Sequence, residues 1–151
     1  MTYRSSKTYG HEVGLSCCFR QWRAESHCNQ LHGYALSVHL EFEADALDAR
    51  NWVIDFGSLK ALKKRIKDTF DHKTLVAADD PDLDHLCALS GLGIADVLVV
   101  GAVGCEAFAE IVYAMAQEWL VTNGHASRVR MHSVTIREHG ANSATYTGHS
   151  A

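Results

Sequence analysis

Tyr34-Ala35-Leu36-Ser37-Val38-His39-Leu40-Glu41-Phe42-Glu43-Ala44 decides the fold. Leu36, Val38, Leu40 and Phe42 alternate strictly with Ser37, His39, Glu41 and Glu43. Side chains of a strand point to opposite faces in turn, so this is a strand with one apolar and one polar face. A sheet wet on one side is normally antiparallel. Directly before the strand stands Cys28-Asn29-Gln30-Leu31-His32-Gly33, where a thiol and an imidazole are four residues apart. These groups titrate near neutrality and bind borderline metals. The same spacing also arises by chance.

Outward from this strand, Tyr9 to Phe19 reads as an earlier one, with Val13, Leu15 and Cys17 alternating and Gly10 and Gly14 loosening it. Arg20 to His27 reads as a loop. After a polar turn at 45–51, Trp52-Val53-Ile54 leads to Asp55, a good helix N-cap. The helix expected from there to about Phe70 has an apolar stripe of Leu59, Leu62, Ile66 and Phe70. Lys60, Lys63, Lys64 and Lys67 form its solvated side. Pro81 can start a short helix, and Asp96 to Val100 reads as a short buried strand. Cys105 to Thr122 is a second long helix, with Phe108, Val112, Met115 and Trp119 inward, and Asn123-Gly124 stops it. Val129 to Glu138 and Ala144 to Thr147 read as closing strands. The expected class is α+β, a ββααββ unit with two helices on one face of an antiparallel sheet.

The 151 residues form one expected domain, 1–151. A net charge of −4 gives no reason to expect nucleic acid or an anionic membrane as partner. No run approaches the roughly 18 apolar residues of a membrane span. Met1 to Lys7 lacks a signal-peptide core, so a cytoplasmic protein is expected. Five cysteines in that setting read as free thiols.

Three further groups have chemical readings beside plainer ones. Asp71-His72 can form a carboxylate-oriented imidazole, or can simply cap a helix. Glu138 can accept two parallel hydrogen bonds from an amidine-like edge such as that of guanine or a pterin, or can sit in solvent. Glu106, opening the second long helix, serves the helix dipole or contacts a ligand.

These segments in this order resemble the 6-pyruvoyltetrahydropterin and 6-carboxytetrahydropterin synthase family over essentially the whole chain. The resemblance rests on Cys28 before His32-Gly33, on Trp52-Val53-Ile54-Asp55-Phe56-Gly57-Ser58-Leu59-Lys60, and on Phe70-Asp71-His72-Lys73-Thr74-Leu75. It extends to Cys105-Glu106-Ala107-Phe108-Ala109, and to Arg137-Glu138 followed by Ala144-Thr145-Tyr146. It implies the tunnelling fold, in which sheets of several subunits close into a barrel, and a homo-oligomer, usually a hexamer of two trimers, with sites between subunits. It implies a lyase acting on 7,8-dihydroneopterin triphosphate or a related pterin, in queuosine or tetrahydrobiopterin biosynthesis. Cys28 would be the base, Asp71 and His72 its aid, Glu138 the pterin anchor and Glu106 a further substrate contact.

The resemblance also implies Zn²⁺ held by three histidines, but the matching positions here are Phe19, His32 and Tyr34. One imidazole does not hold zinc tightly. Tyrosinate is a poor ligand at neutral pH, its ordinary pKa being about 10. Cys18, His27, His39 and His11 are the other donors at hand. The expectation is therefore a diverged member with an altered or absent zinc site. The alternatives are metal-independent cleavage of a dihydroneopterin side chain, or a non-catalytic pterin- or purine-binding homologue.

Overall fold

The computed structural model describes residues 1–148. The Tyr34–Ala44 run lies in a longer strand, β3 (His32–Ala44), around which the sheet is assembled. Strands β1 (Tyr3–Tyr9) and β2 (Leu15–Phe19) run one after the other along one edge of β3, both antiparallel to it. On the other edge lies β6 (Val129–His139), itself paired with β7 (Asn142–Tyr146), again antiparallel.

The single strand expected over Tyr9–Phe19 is thus broken. Gly10 to Gly14 forms a 3-10 turn, His11–Val13, closed by Gly14 at φ 77, a left-handed conformation that glycine adopts without Cβ strain. The stretch before it, read only for targeting signals, is strand β1.

Beyond β2 the sheet becomes parallel. Strand β4 (Lys73–Ala77) pairs with β2, and β5 (Val97–Val100) pairs with β4. The sheet order is β5-β4-β2-β3-β6-β7, with β1 beside β3. The alternation pattern carried no signal for β4, because Lys73-Thr74-Leu75-Val76-Ala77 is almost wholly buried. Strand β5 is the sheet edge rather than a buried strand, and Val99 is 45% exposed.

Three helices cover the apolar face. Asp55 does cap, accepting from the Gly57 N–H at 2.9 Å, but it caps a 3-10 turn (Phe56–Leu59) that leads into α1 (Lys60–Phe70). Helix α2 (Leu83–Gly91) is short and follows Pro81; α3 (Cys105–Thr122) is the longest. The expected stripes are the buried ones: Leu62, Ile66 and Phe70 on α1, and Phe108, Val112, Met115 and Trp119 on α3. They pack with Leu36, Val38, Leu40 and Phe42 of β3 and Val134 and Ile136 of β6, all fully buried. Burying each such side chain stabilises the fold by about 1.5–3 kcal/mol before entropy is counted. The mixed sheet curls into half a barrel. Among the described residues no helix is long and apolar enough to cross a membrane.

Candidate active site

Cys28 is carried on a 3-10 turn, His27–Asn29, whose N-cap Ser26 accepts from the Cys28 N–H at 3.3 Å. The turn is pinned back onto the end of β2. The Gln21 N–H donates to the Cys28 carbonyl at 3.0 Å, and Arg20 Nη1 donates to the Asn29 carbonyl at 3.2 Å. What reads as a loop in the sequence is therefore held in place, and Cys28 is half-buried.

From this turn the chain enters β3. His32 Nδ1 donates to the Gln30 carbonyl at 2.7 Å, which leaves Nε2 as the imidazole's free lone pair. Gly33 follows, and a Cβ there would lie 2.5 Å from the Cys17 carbonyl oxygen. Only glycine lets β2 approach this closely. Tyr34, two residues after His32, shares its face.

Phe19, His32 and Tyr34 converge. Phe19 to His32 is 5.2 Å between ring centroids, His32 to Tyr34 is 5.6 Å edge-on, and Phe19 to Tyr34 is 6.2 Å. Phe19 continues edge-on into Phe108 at 5.1 Å, and Tyr34 lies 6.1 Å from His139. These are aromatic packing distances. The three side chains together offer one nitrogen donor and do not fit a zinc ion, which needs three protein ligands in a catalytic site.

Three of the other four donors are committed elsewhere. Cys18 Sγ meets Thr74 Oγ1 at 3.2 Å, His11 donates to the Ala35 carbonyl at 2.6 Å, and His39 bonds Thr8 at 2.7 Å. Among the described residues no three His, Cys, Asp or Glu side chains are grouped to hold a metal.

Glu138, on β6, reaches the same cluster from the other side. Burial is the main cause that raises the Tyr34 phenol above its ordinary pKa. The charges of Glu138 and then Cys28 add to it. Cys105, the first residue of α3, is pushed up to about 12, first by burial and then by Glu138 and Glu106. Cys17 is pushed up to about 12 by burial and by its neighbours Cys18 and Cys105. Cys17 and Cys105 therefore remain thiols at neutral pH and are poor nucleophiles. Glu106 is exposed in the first turn of α3, as a carboxylate serving the helix dipole would be.

Asp71 and His72 do pair. His72 Nδ1 lies 2.7 Å from Asp71 Oδ1, and this hydrogen bond is the first cause holding the Asp71 carboxyl below the usual range. The sharp turn needed for neighbours to meet comes from His72 itself, at φ 59, with its N–H donating to the Ser16 carbonyl at 2.6 Å. Its ring is almost fully exposed. The pair borders a concavity of about 420 Å³ lined by Ser16, Cys18, Gly33, Tyr34, Lys73 and Asp96 among others, with neither Cys28 nor Glu138 in its wall. One chain thus brings Cys28, His32, Tyr34 and Glu138 together and leaves Asp71-His72 on a separate face, with Tyr34 bordering both. Sequence reasoning gave no role to Cys105 or His139. The family resemblance singled out Tyr34 as the position of a zinc histidine, but nothing in the sequence marked Cys105 as a neighbour of Glu138.

The model of the 6-pyruvoyl tetrahydropterin synthase family matches residues 10–149. Over 60 residues the chain is 35% identical to 6-carboxy-5,6,7,8-tetrahydropterin synthase of Rickettsia conorii, and 33% identical to that of Rickettsia felis. Those stretches cover 39% of this chain and 44% of each relative, less than half the relatives' length. An uncharacterized protein from Wolinella succinogenes superposes with a TM-score of 0.83 at 20% identity over 99% of both chains. A catalytic-residue variant of Plasmodium vivax 6-pyruvoyltetrahydropterin synthase superposes at 0.72 with 15% identity over 97% of both. At such identities the likeness is one of fold, and that fold is the tunnelling fold. With a family match that spans nearly the whole chain, this protein belongs to the 6-pyruvoyl tetrahydropterin synthase family.

Proposed function

We propose that this protein is a pterin synthase-type lyase acting on 7,8-dihydroneopterin triphosphate or a related reduced pterin, without the zinc ion of its family. The observation that carries the reading is the convergence of Cys28 and Glu138 on Tyr34 in a chain of this family. Glu138 is the ring anchor: its carboxylate accepts two parallel hydrogen bonds from the amidine-like edge of the pterin. Cys28, at the same cluster on the turn pinned to the end of β2, is the base toward the C6 side chain. Glu106, on the exposed first turn of α3, is a contact at the rim.

Asp71-His72 supplies the oriented imidazole that moves the second proton. Its separation from Cys28 within one chain is met by an assembly in which the pair comes from a neighbouring copy, as a trimer-based homo-oligomer of this fold provides. A bound zinc ion would supply a Lewis acid worth several kcal/mol. The ring triad of Phe19, His32 and Tyr34 does not hold one, so the proton chemistry falls to Cys28 and His72. Side-chain cleavage of a dihydroneopterin is the reaction that fits a base and an anchor without metal.

The same ring triad favours a second reading, a non-catalytic pterin- or purine-binding homologue in which Glu138 grips a ring and Cys28 and His72 are idle. Product mass after incubation with 7,8-dihydroneopterin and with its triphosphate, each with added zinc and with chelator, separates the two. Product that survives chelator and is lost in Cys28→Ala is the expected result. Binding without turnover, lost in Glu138→Gln, establishes the second reading instead.

A further inference from the structure

We infer that Asp80 is a positioning residue for Cys28 and that it acts through Arg20. The inference rests on the reading of Cys28 as the base and concerns what fixes its place.

Asp80 stands between β4 and α2, and its side chain keeps 1% of its surface in water. A carboxylate buried to that degree needs strong partners. Its Oδ2 accepts from Arg20 Nε at 2.9 Å. Its Oδ1 accepts from Arg20 Nη2 at 2.7 Å and from the Asp82 N–H at 2.9 Å. A bidentate pair sets the plane of the guanidinium as well as its distance. With that plane set, the remaining nitrogen, Nη1, donates to the Asn29 carbonyl at 3.2 Å, at the end of the Cys28 turn. Asp82 also accepts from Nη2 at 2.9 Å, but its side chain is 52% exposed and it holds the guanidinium by one bond.

The turn depends on such tethers. His27–Asn29 is a single 3-10 turn with little stability of its own. Ser26 caps its start, the Gln21 N–H holds the Cys28 carbonyl, and Arg20 holds the Asn29 carbonyl. The Arg20 bond is the one made by a long, flexible side chain, and Asp80 removes that flexibility.

The adjacent carboxylate supplies the contrast. Trp22 Nε1 and Arg23 Nη1 donate to Asp79 at 3.2 and 2.9 Å. The Arg23–Asp79 pair is exposed on both sides, and such pairs hold little. Neither bond reaches the Cys28 turn. A general base must sit within hydrogen-bond reach of the proton it takes, and a displacement of about 1 Å can cost about 100-fold in rate. Asp80 is therefore felt at Cys28, and Asp79 is not.

The test is alkylation of the intact purified protein by iodoacetamide under native conditions, resolved thiol by thiol by peptide mass, together with turnover of 7,8-dihydroneopterin. Cys17 and Cys105 are buried and report any general opening of the fold. In Asp80→Asn the Cys28 rate is expected to rise about fivefold or more through local opening, with Cys17 and Cys105 at parent rates. Its kcat is expected to fall by about 10- to 100-fold with KM within about twofold, because Glu138 still anchors the ring. Arg20→Lys keeps the charge beside Asp80 but has no planar fork. It should reproduce both effects, and it carries the test alone if Asp80→Asn does not fold. Asp79→Ala should leave all three thiols and turnover as in the parent. An unchanged Cys28 rate in these Asp80 and Arg20 variants overturns the inference. So does a rise shared by Cys17 and Cys105, which marks a purely structural role. A parent without pterin turnover overturns the pterin reading, while the thiol rates still decide whether Asp80 holds Cys28.

Discussion

Phe19 and His32 face one another across the β2–β3 register, their ring centroids 5.2 Å apart, at two of the three positions to which the family resemblance assigns zinc histidines. The backbone converges three side chains on one point, and they meet there as packed rings. Restoring donors should therefore restore a site. The double variant Phe19→His/Tyr34→His is expected to take up about one zinc per chain, against a small fraction in the parent. Metal content after dialysis checks this, and a parent chain that retains stoichiometric zinc would falsify it.

Phe108 links the ring triad to the core, edge-on to Phe19 at 5.1 Å and to Phe70 at 5.3 Å, with no exposed surface. Phe108→Ala is expected to destabilise the protein by about 3–5 kcal/mol, from lost burial and the cavity left behind. Urea unfolding followed by circular dichroism measures it. A loss under about 1 kcal/mol would mean the core collapses to fill the space.

Gly33 separates His32 from Tyr34 and faces the Cys17 carbonyl. The obstacle to a side chain is backbone, which cannot swing aside as a flexible side chain can. Gly33→Ala is expected to cost about 1–3 kcal/mol and to pry β2 from β3. Melting temperature and hydrogen exchange at the β2 amides report both effects.

The Arg20–Asp80 pair ties the end of β2 to the approach to α2, and Asp80 is buried. Removing one partner with Asp80→Asn is expected to cost about 2–3 kcal/mol. That is below the range for a wholly buried pair, since Arg20 keeps 20% of its side chain in water. The Arg20 hydrogen bond holds the Asp80 carboxyl below its ordinary value in the folded protein. The pair's contribution is thus fully present above the unfolded aspartate value of about 3.9, and is lost as pH falls through the lower folded value. Unfolding free energy measured from pH 7 to pH 2 should fall less steeply in Asp80→Asn than in the parent.

His72 holds a left-handed backbone, φ 59, which asparagine tolerates better than other non-glycine residues. His72→Asn is expected to keep the melting temperature within about 2 °C, equivalent to about 0.5 kcal/mol. It is also expected to lower turnover by about 100-fold through loss of the proton-transferring ring. Unchanged turnover with unchanged stability would remove His72 from the chemistry.

The sequence by itself determined the faces. Period-two alternation set β3 and β6, and the spacing of Leu62, Ile66 and Phe70, and of Phe108, Val112, Met115 and Trp119, set the two main helices, because apolar side chains must leave water. It also marked Cys28, Asp71, His72 and Glu138 as groups worth following, and Asp71-His72 as a possible pair, since the two are adjacent. It marked β5 as a short strand but gave neither its edge position nor its parallel pairing, and it did not show β4, whose buried parallel pairing leaves no alternation to read, nor the break between β1 and β2, which depends on Gly14 turning left-handed. Tertiary structure alone decided that Cys105 flanks Glu138, that Tyr34 closes a ring triad with Phe19 and His32, and that Arg20 is consumed by Asp80 and Asp82. Apart from His32 with Tyr34, those relationships join residues from 13 to 62 positions apart. They follow from strand register and helix placement, which the packing of the whole chain fixes and no local pattern encodes.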